Sequence, residues 1–495
     1  MPIMDEPTSL DPQIADSNSE KLVAANCYEG LVHIMADGTI GKGVAADWNI
    51  SDDGLTYTFK LRNNSHWAMF SGHKAVLGEN YEDTFDITVK AEDFKFGIER
   101  TLSEQTGSAD APLFSAVKSI STPDDFTIVF NLSYADDNFL YALTNPGAMP
   151  CDEEFFNLTN GKYGLDAKYL LCNGPFHVSK WTEKTSVKLV KNNEYNGESS
   201  VSPSSVTFYI NNDDSEVADK MNSVTYDVAF LSSSQFSSIE NKKDLNSVAV
   251  QNVTYSFIFN QNDNNYRNKN MRLAFCRSCD TSSLFDSQSD ISKADGIVPP
   301  SCKIGGEDYR NGNAAELLSY DETLAKKNFN DALLELGSSS VETTILCTEQ
   351  YEPFVKQMVQ KLQKTLGVKF VSTVKVVSES DLEAAVNDGN YSVAFYPFKA
   401  KSSFAGEIIE GFDKNNIFGY ESDVLSQKIR NIKNNSGSLE GERSAVADAE
   451  NYLVSEAVIM PVFYENSYFV TSKKTSGIYF YSSADNVCFI NAKKS

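Results

Sequence analysis

Four histidines, eight cysteines and 68 acidic residues are the groups in this 495-residue chain that could do chemistry. The histidines, His33, His66, His73 and His177, form no H-E-x-x-H zinc pair. His66 and His73 fall in a loop-like stretch and are expected to be exposed rather than ligating. Cysteines at 27, 151, 172, 276, 279, 302, 347 and 488 show no zinc-finger spacing, and their even number permits disulfides without defining a framework. Cys276 and Cys279 make a C-x-x-C, but Met271–Phe275 beside them has helical character. The two thiols then share one helix face as small buried groups. No G-x-S-x-G elbow, P-loop or G-x-G-x-x-G after a strand is present, and Gly41-Lys42-Gly43 is a lone turn. The pairs Glu153/Glu154 and Asp213/Asp214 could serve acid/base hydrolysis of glycosides, yet with 68 acids such pairs arise by chance. The residues therefore point to binding: no catalytic residue, no metal ligand set and no cofactor.

The elements that must position any site divide the chain. Residues 44–62 predict a strand pair turning at Asp53-Gly54, with Tyr57, Phe59 and Leu61 on one face. A second hairpin surrounds Pro123-Asp124-Asp125, and Ile128, Phe130 and Leu132 share one face of its second strand. A helix starting near Ala91 carries Phe94 and Ile98 at i, i+4. From Ser205 the pattern becomes βαβ. Its clearest unit is strand Thr343–Cys347, a helix from Tyr351 to Leu366 ended by Gly367 as a left-handed cap, and strand Val368–Val377.

Composition narrows the class. Hydrophobic residues make up 41%, enough for several cores, and the chain is too long for one. The formal charge of −25 repels nucleic acid and anionic lipid, so no nucleic-acid partner is expected. No apolar run is long enough to span a bilayer. No leader-like stretch precedes Glu6-Pro7, as expected of a mature or trimmed chain.

Seven segments in order carry a resemblance. They are Glu6–Pro12 with Tyr28–Val32 and Asp47-Trp48; Asp53–Arg62; Val89–Phe96 with Ile98–Arg100; Cys172–Phe176 with Trp181, Leu189–Asn192 and Tyr195; Phe259-Asn260 with Asn270–Phe275 and Asp280; Gly296–Pro300; and Glu450 with Met460–Tyr464. Together they resemble the peptide/nickel type of extracytoplasmic solute-binding proteins, family 5. The resemblance implies an α/β, periplasmic-binding-protein-like fold (type II), a two-lobe clamshell with an additional smaller α+β domain. It implies residues 1–36, 166–262 and 471–495 as lobe I, 37–165 as the additional domain, and 263–470 as lobe II. The implied function is capture of a solute, foremost a peptide held extended between closing lobes, for delivery to the membrane permease of an ABC importer. Such a receptor is a monomer outside the cytoplasm, either periplasmic or a cell-surface lipoprotein whose anchoring cysteine would precede Met1. The alternatives are a receptor of the same fold for an oligosaccharide or metal chelate, and a non-transport sensor.

Carried over by position, the resemblance places ligand near Asp16, Ser17 and Asn18, although Ser17 or Asn18 could equally cap the helix expected over 19–28. Asn173 and Gly174 lie near the crossover, Gly174 chiefly for backbone geometry. Tyr464 either lines the cleft or packs in a core. Relatives that grip a free amino group carry G-W-x-A-D-Y-x-D-P, whose Asp pairs with the ammonium. Here Phe398 keeps the aromatic, but Lys401 stands where the acid belongs, and Lys399 adds a second cation. An ammonium facing Lys401 would be repelled by about 1–3 kcal/mol. The resemblance therefore leaves selection of a free N-terminus in doubt, with Lys399 or Lys401 either meeting a carboxylate or facing solvent.

Overall fold

A computed structural model describes residues 1–35, 39–136, 138–197, 200–281, 285, 291–399, 404–413, 416–435, 438–481 and 483–495. The chain folds as two compact units, residues 1–249 with 467–495, and residues 250–466. It passes from the first to the second inside the long strand Leu245–Phe259 and returns inside the strand Ile459–Ser472.

The first unit holds two four-stranded sheets. One is ordered Pro2–Ile3, Ser205–Ile210, Ser186–Lys191, Phe176–Thr182; the other Ala45–Ile50, Thr56–Leu61, Thr127–Leu132, Val117–Asp124. In the second, alternation buries Tyr57, Phe59 and Leu61, and Tyr57 pairs with Phe130 and Phe59 with Ile128. The helix Ala91–Leu102 contributes Phe94 and Ile98, spaced one turn apart and fully buried, to the same core. The Asp53-Gly54 connection is longer than a two-residue turn. It spans Ser51–Leu55 because Asp53 Oδ1 accepts from the Leu55 N–H and the Ser51 hydroxyl, leaving Gly54 at φ +68°. His73 is fully buried, contrary to the expected exposure. Its Nε2 meets the Leu170 carbonyl at 3.1 Å, and burial pulls its pKa down to about 4.

In the second unit the sheet runs Ile459–Ser472, Leu245–Phe259, Val393–Lys399, Val341–Cys347, Phe370–Val376, with Ile291–Lys293 pairing residues 463–465. Val341–Cys347 is parallel to both Phe370–Val376 and Val393–Lys399, as βα crossovers require. Helix Glu352–Leu366 follows a short 3-10 turn, Glu349–Tyr351, and buries Val355, Met358, Leu362 and Leu366. Gly367 ends it at φ +77°, ψ −167°, a region open to glycine but outside the left-handed cap expected. Glu450 is buried on helix Leu439–Ser455 and accepts from the Ile297 and Val298 N–H groups (2.6 and 2.9 Å), the Tyr309 hydroxyl and both terminal nitrogens of Arg310. Five donors thus converge on Glu450, two of them from the Gly296–Pro300 segment, so this buried charge is fully paired. Among the described residues no helix is long and apolar enough to cross a membrane.

Candidate functional site

In the first unit the expected ligand loop is built around one carboxylate. Glu20 accepts from the Thr8 N–H and hydroxyl (both 2.7 Å) and the Ser9 N–H (3.3 Å) on one oxygen, and from the Asp16 and Ser17 N–H groups (3.0 and 3.1 Å) on the other. Ser17 returns a capping-box bond, its hydroxyl accepting from the Glu20 N–H at the start of helix Asn18–Cys27. Ser17 therefore caps the helix, Asn18 begins it half-buried, and Asp16 stands exposed beside them. Nearby, Arg100 forks onto Asp11 (2.6 and 3.2 Å) and reaches Gln13 (2.6 Å), so the Leu10-Asp11-Pro12 step is clamped by an ion pair that is nearly dry.

Asn173 and Gly174 form a backbone splice. The Asn173 amide accepts from the Glu29 N–H (3.0 Å) and donates to the Glu29 carbonyl (2.8 Å), while the Gly174 N–H donates to the Cys27 carbonyl (2.9 Å). A Cβ on Gly174 would lie 2.7 Å from the backbone of Cys27 and Tyr28, so close chain approach is what requires glycine there. Asn173 is 1% exposed, and both polar atoms of its side chain are engaged. The Glu29 carboxylate in turn meets Arg62 (2.6 Å) and the Tyr195 hydroxyl (3.2 Å), which joins three of the sequence segments singled out above.

The second unit gathers a second set of groups. In α/β sheets, ligands gather beyond the carboxyl ends of parallel strands. Here those ends are Cys347, leading into Thr348–Tyr351, and Lys399. Tyr255, Tyr351, Phe354, Phe395 and Phe463 converge beside them, with Tyr255 centred 4.3 Å from Tyr351 and 5.1 Å from Phe463. The Tyr351 hydroxyl donates to Glu465 at 2.5 Å, and Gln350 donates to the same carboxylate at 3.3 Å. Burial, with Tyr255 and Glu465 alongside, drives the Tyr351 phenol far above its ordinary pKa, so it stays a neutral donor. Gln251 bridges Ser292 (2.8 Å) and Asn466 (2.9 Å) on the same strands. Tyr351, Phe395 and Phe463 are buried in this cluster, Tyr255, Phe354 and Glu465 are half-buried at its edge, and Lys399 is exposed at its strand end.

Phe398 is half-buried and stacks on Phe412 at 5.7 Å. Tyr464 is buried; its hydroxyl accepts from the Asp295 N–H (3.1 Å) and donates to the Val298 carbonyl (3.4 Å), locking that loop. Lys401 lies outside the described residues. Tyr255, Tyr351 and Glu465 went unnoticed in the sequence. Their one signal was the strand-to-helix junction at 348–351, where a βα unit places its ligand-facing loop.

The chain matches the family of bacterial extracellular solute-binding proteins, family 5 middle, over residues 39–418. The dipeptide-binding protein DppE of Bacillus subtilis is 24% identical to it across 96% of this chain and 88% of its own length. Among solved structures, Listeria monocytogenes OppA bound to peptide superposes with a TM-score of 0.77 at 21% identity, covering 100% of this chain and 98% of that one. The dipeptide-binding protein of Pseudoalteromonas sp. SM9913 in complex with Met-Leu gives 0.78 at 17% identity, over 100% and 99%. The type II periplasmic-binding-protein fold is thereby shown, and the chain belongs to the bacterial extracellular solute-binding proteins of family 5.

Proposed function

We propose that this protein captures peptides outside the cytoplasm and delivers them to the permease of an ABC importer, without catalysing a reaction on them. The observation that carries the reading is the near end-to-end match to a dipeptide-binding protein. The carboxyl-end rim of the second unit supplies compatible chemistry. Every peptide presents the same N–H and C=O groups, so main-chain bonding accepts many sequences. Of the groups named from the sequence, Asp16 in the first unit and Lys399 in the second are exposed charges, either of which could pair with an opposite charge on a peptide. Asn173, Gly174, Ser17, Asn18, Phe398 and Tyr464 act behind them, holding the backbone that ligand would touch. Lys401 keeps its proposed role of replacing an ammonium-binding acid, so recognition does not depend on a free N-terminus. The receptor works as a monomer, tethered to or retained at the outer face of the membrane.

Half-buried aromatics in the second unit, Tyr255 and Phe398 among them, could stack on a sugar ring, which keeps an oligosaccharide as the second reading. A thermal-shift titration against a pooled peptide library, its N-acetylated copy and an oligosaccharide panel separates the two. Ligand at 100 times its dissociation constant stabilises by about 2.7 kcal/mol. Peptide shifts that survive acetylation support the proposal in full. Shifts with free amines alone remove the role given to Lys401, and shifts with sugars alone overturn the peptide reading.

A further inference from the structure

The two strands that join the units meet at one bond inside the second. The chain enters that unit at Val250 on Leu245–Phe259 and leaves it after Asn466 on Ile459–Ser472, and Gln251 donates to Asn466 at 2.9 Å. Glu465, next to Asn466, is half-buried. The Tyr351 hydroxyl and the Gln350 amide reach its carboxylate from the turn after strand Val341–Cys347. Both donors are neutral, so they aim the carboxylate without cancelling its charge. Half-buried Tyr255 lies against Tyr351, and burial, followed by the charges of Glu465 and Glu379, pushes its phenol up. The other charges on these elements are of both signs. Exposed Glu349 and Glu379 follow the parallel strands, exposed Lys375 and Lys399 sit on them, exposed Lys293 stands opposite Phe463 in the ladder, and Glu352 pairs with Lys356 at 2.7 Å. Salt screens such exposed charges, whereas a half-buried carboxylate beside an aromatic face is screened less.

We propose that Glu465 selects peptides carrying a cationic side chain, whose guanidinium or ammonium pairs with its carboxylate while the stem lies against Tyr255. This charge preference rests on the peptide reading above and concerns one position of the ligand. Arginine suits the place best, because a flat guanidinium can fork onto a carboxylate and stack on an aromatic face. The bonds from Tyr351 and Gln350 hold the carboxylate in place before ligand arrives, which lowers the ordering cost of binding. A neutral side chain of the same size would cover the carboxylate and return no charge to it.

The test titrates the whole chain, by calorimetry, with N-acetylated peptide pools that are identical except for one residue, fixed as arginine, as its neutral isostere citrulline, or as glutamate. The wild type should bind the arginine pool about five- to tenfold more tightly than the citrulline pool. Glu465→Gln should erase that ratio and keep the citrulline affinity, which shows that the variant is folded and competent to bind. Glu465→Lys should turn the preference toward the glutamate pool. Equal wild-type affinity for arginine and citrulline, or a ratio that survives Glu465→Gln, overturns the charge preference and leaves the peptide reading standing. Failure of every pool, acetylated or free, removes the peptide reading and the preference with it. A gain from a free amino group that vanishes in Glu465→Gln, with no arginine preference, assigns the carboxylate to the peptide's amino terminus and overturns the side-chain role.

Discussion

Replacing Glu20 by Gln tests whether one carboxylate organises the loop that carries Asp16 and Ser17. Glu20 receives five donors, three on one oxygen and two on the other, and its residue is 4% exposed. A glutamine keeps one oxygen and turns an NH2 toward the remaining donors, so at least the Asp16 and Ser17 N–H groups lose their acceptor. Hydrogen bonds to a charged group are worth about 1.5–3 kcal/mol each, and relaxation toward water favours the lower end, which predicts a loss of about 3 kcal/mol. All three tryptophans, Trp48, Trp67 and Trp181, lie in the first unit, so urea unfolding followed by tryptophan emission reports on that unit. The loss should also depend on pH. Burial raises the Glu20 pKa, but the Thr8 hydroxyl and the Asp16, Thr8 and Ser17 N–H groups outweigh it, so the folded value sits below the ordinary 4.5. A depressed carboxyl contributes stability that is present above 4.5 and is lost as pH falls through the folded value. Glutamine does not titrate, so the gap between the proteins should close on acidification. A gap below about 1 kcal/mol at neutral pH, or one unchanged down to pH about 3, would refute the reasoning.

Other perturbations probe the remaining contacts. Glu450→Ala strands Arg310 and should cost about 3–5 kcal/mol, seen as faster hydrogen exchange at Ile297 and Val298; Glu450→Met with Arg310→Met should recover much of it. Gly174→Ala forces a Cβ against the Cys27 and Tyr28 backbone and should destabilise the first unit by about 1–3 kcal/mol or more in the tryptophan assay. Glu465→Gln keeps an acceptor for Tyr351 while removing charge from the rim. It should shift peptide affinity, measured by calorimetry, while leaving the melting temperature nearly unchanged.

Much of the fold was legible because it rests on local pattern. Tyr57, Phe59 and Leu61 alternate, Phe94 and Ile98 repeat at a helical turn, and all five are buried as the pattern requires. The strand Leu245–Phe259 is hard to read along its whole length. Its first half, Leu245–Gln251, is largely exposed and mixes apolar with polar residues without alternation, which leaves no period to read. His73 was misjudged because its burial comes from Phe70 and Phe155, whose rings lie 4.3 and 5.4 Å away. The site was less legible still. Asn173 and Gly174 signalled a special backbone, but only the structure shows that they fasten Cys27 and Glu29, more than a hundred residues earlier in sequence. Tyr351 and Glu465 become neighbours through strand order, which no local spacing records.

The splice at Asn173 and Gly174 makes the chain between them and Glu29 a closed handle. Everything from Gly30 to Cys172 leaves and returns at points within hydrogen-bonding reach of each other. The entropy of closing such a handle grows only slowly with its length, so insertions and deletions inside it weigh little on the base. The handle is nevertheless no detachable module, because its Leu31, Phe139 and Leu171 share one core with Leu22, Val23 and Phe176 of the base. A graft in its place must rebuild that core and answer three ion pairs across the join, Arg62–Glu29, Arg100–Asp11 and Lys21–Asp110.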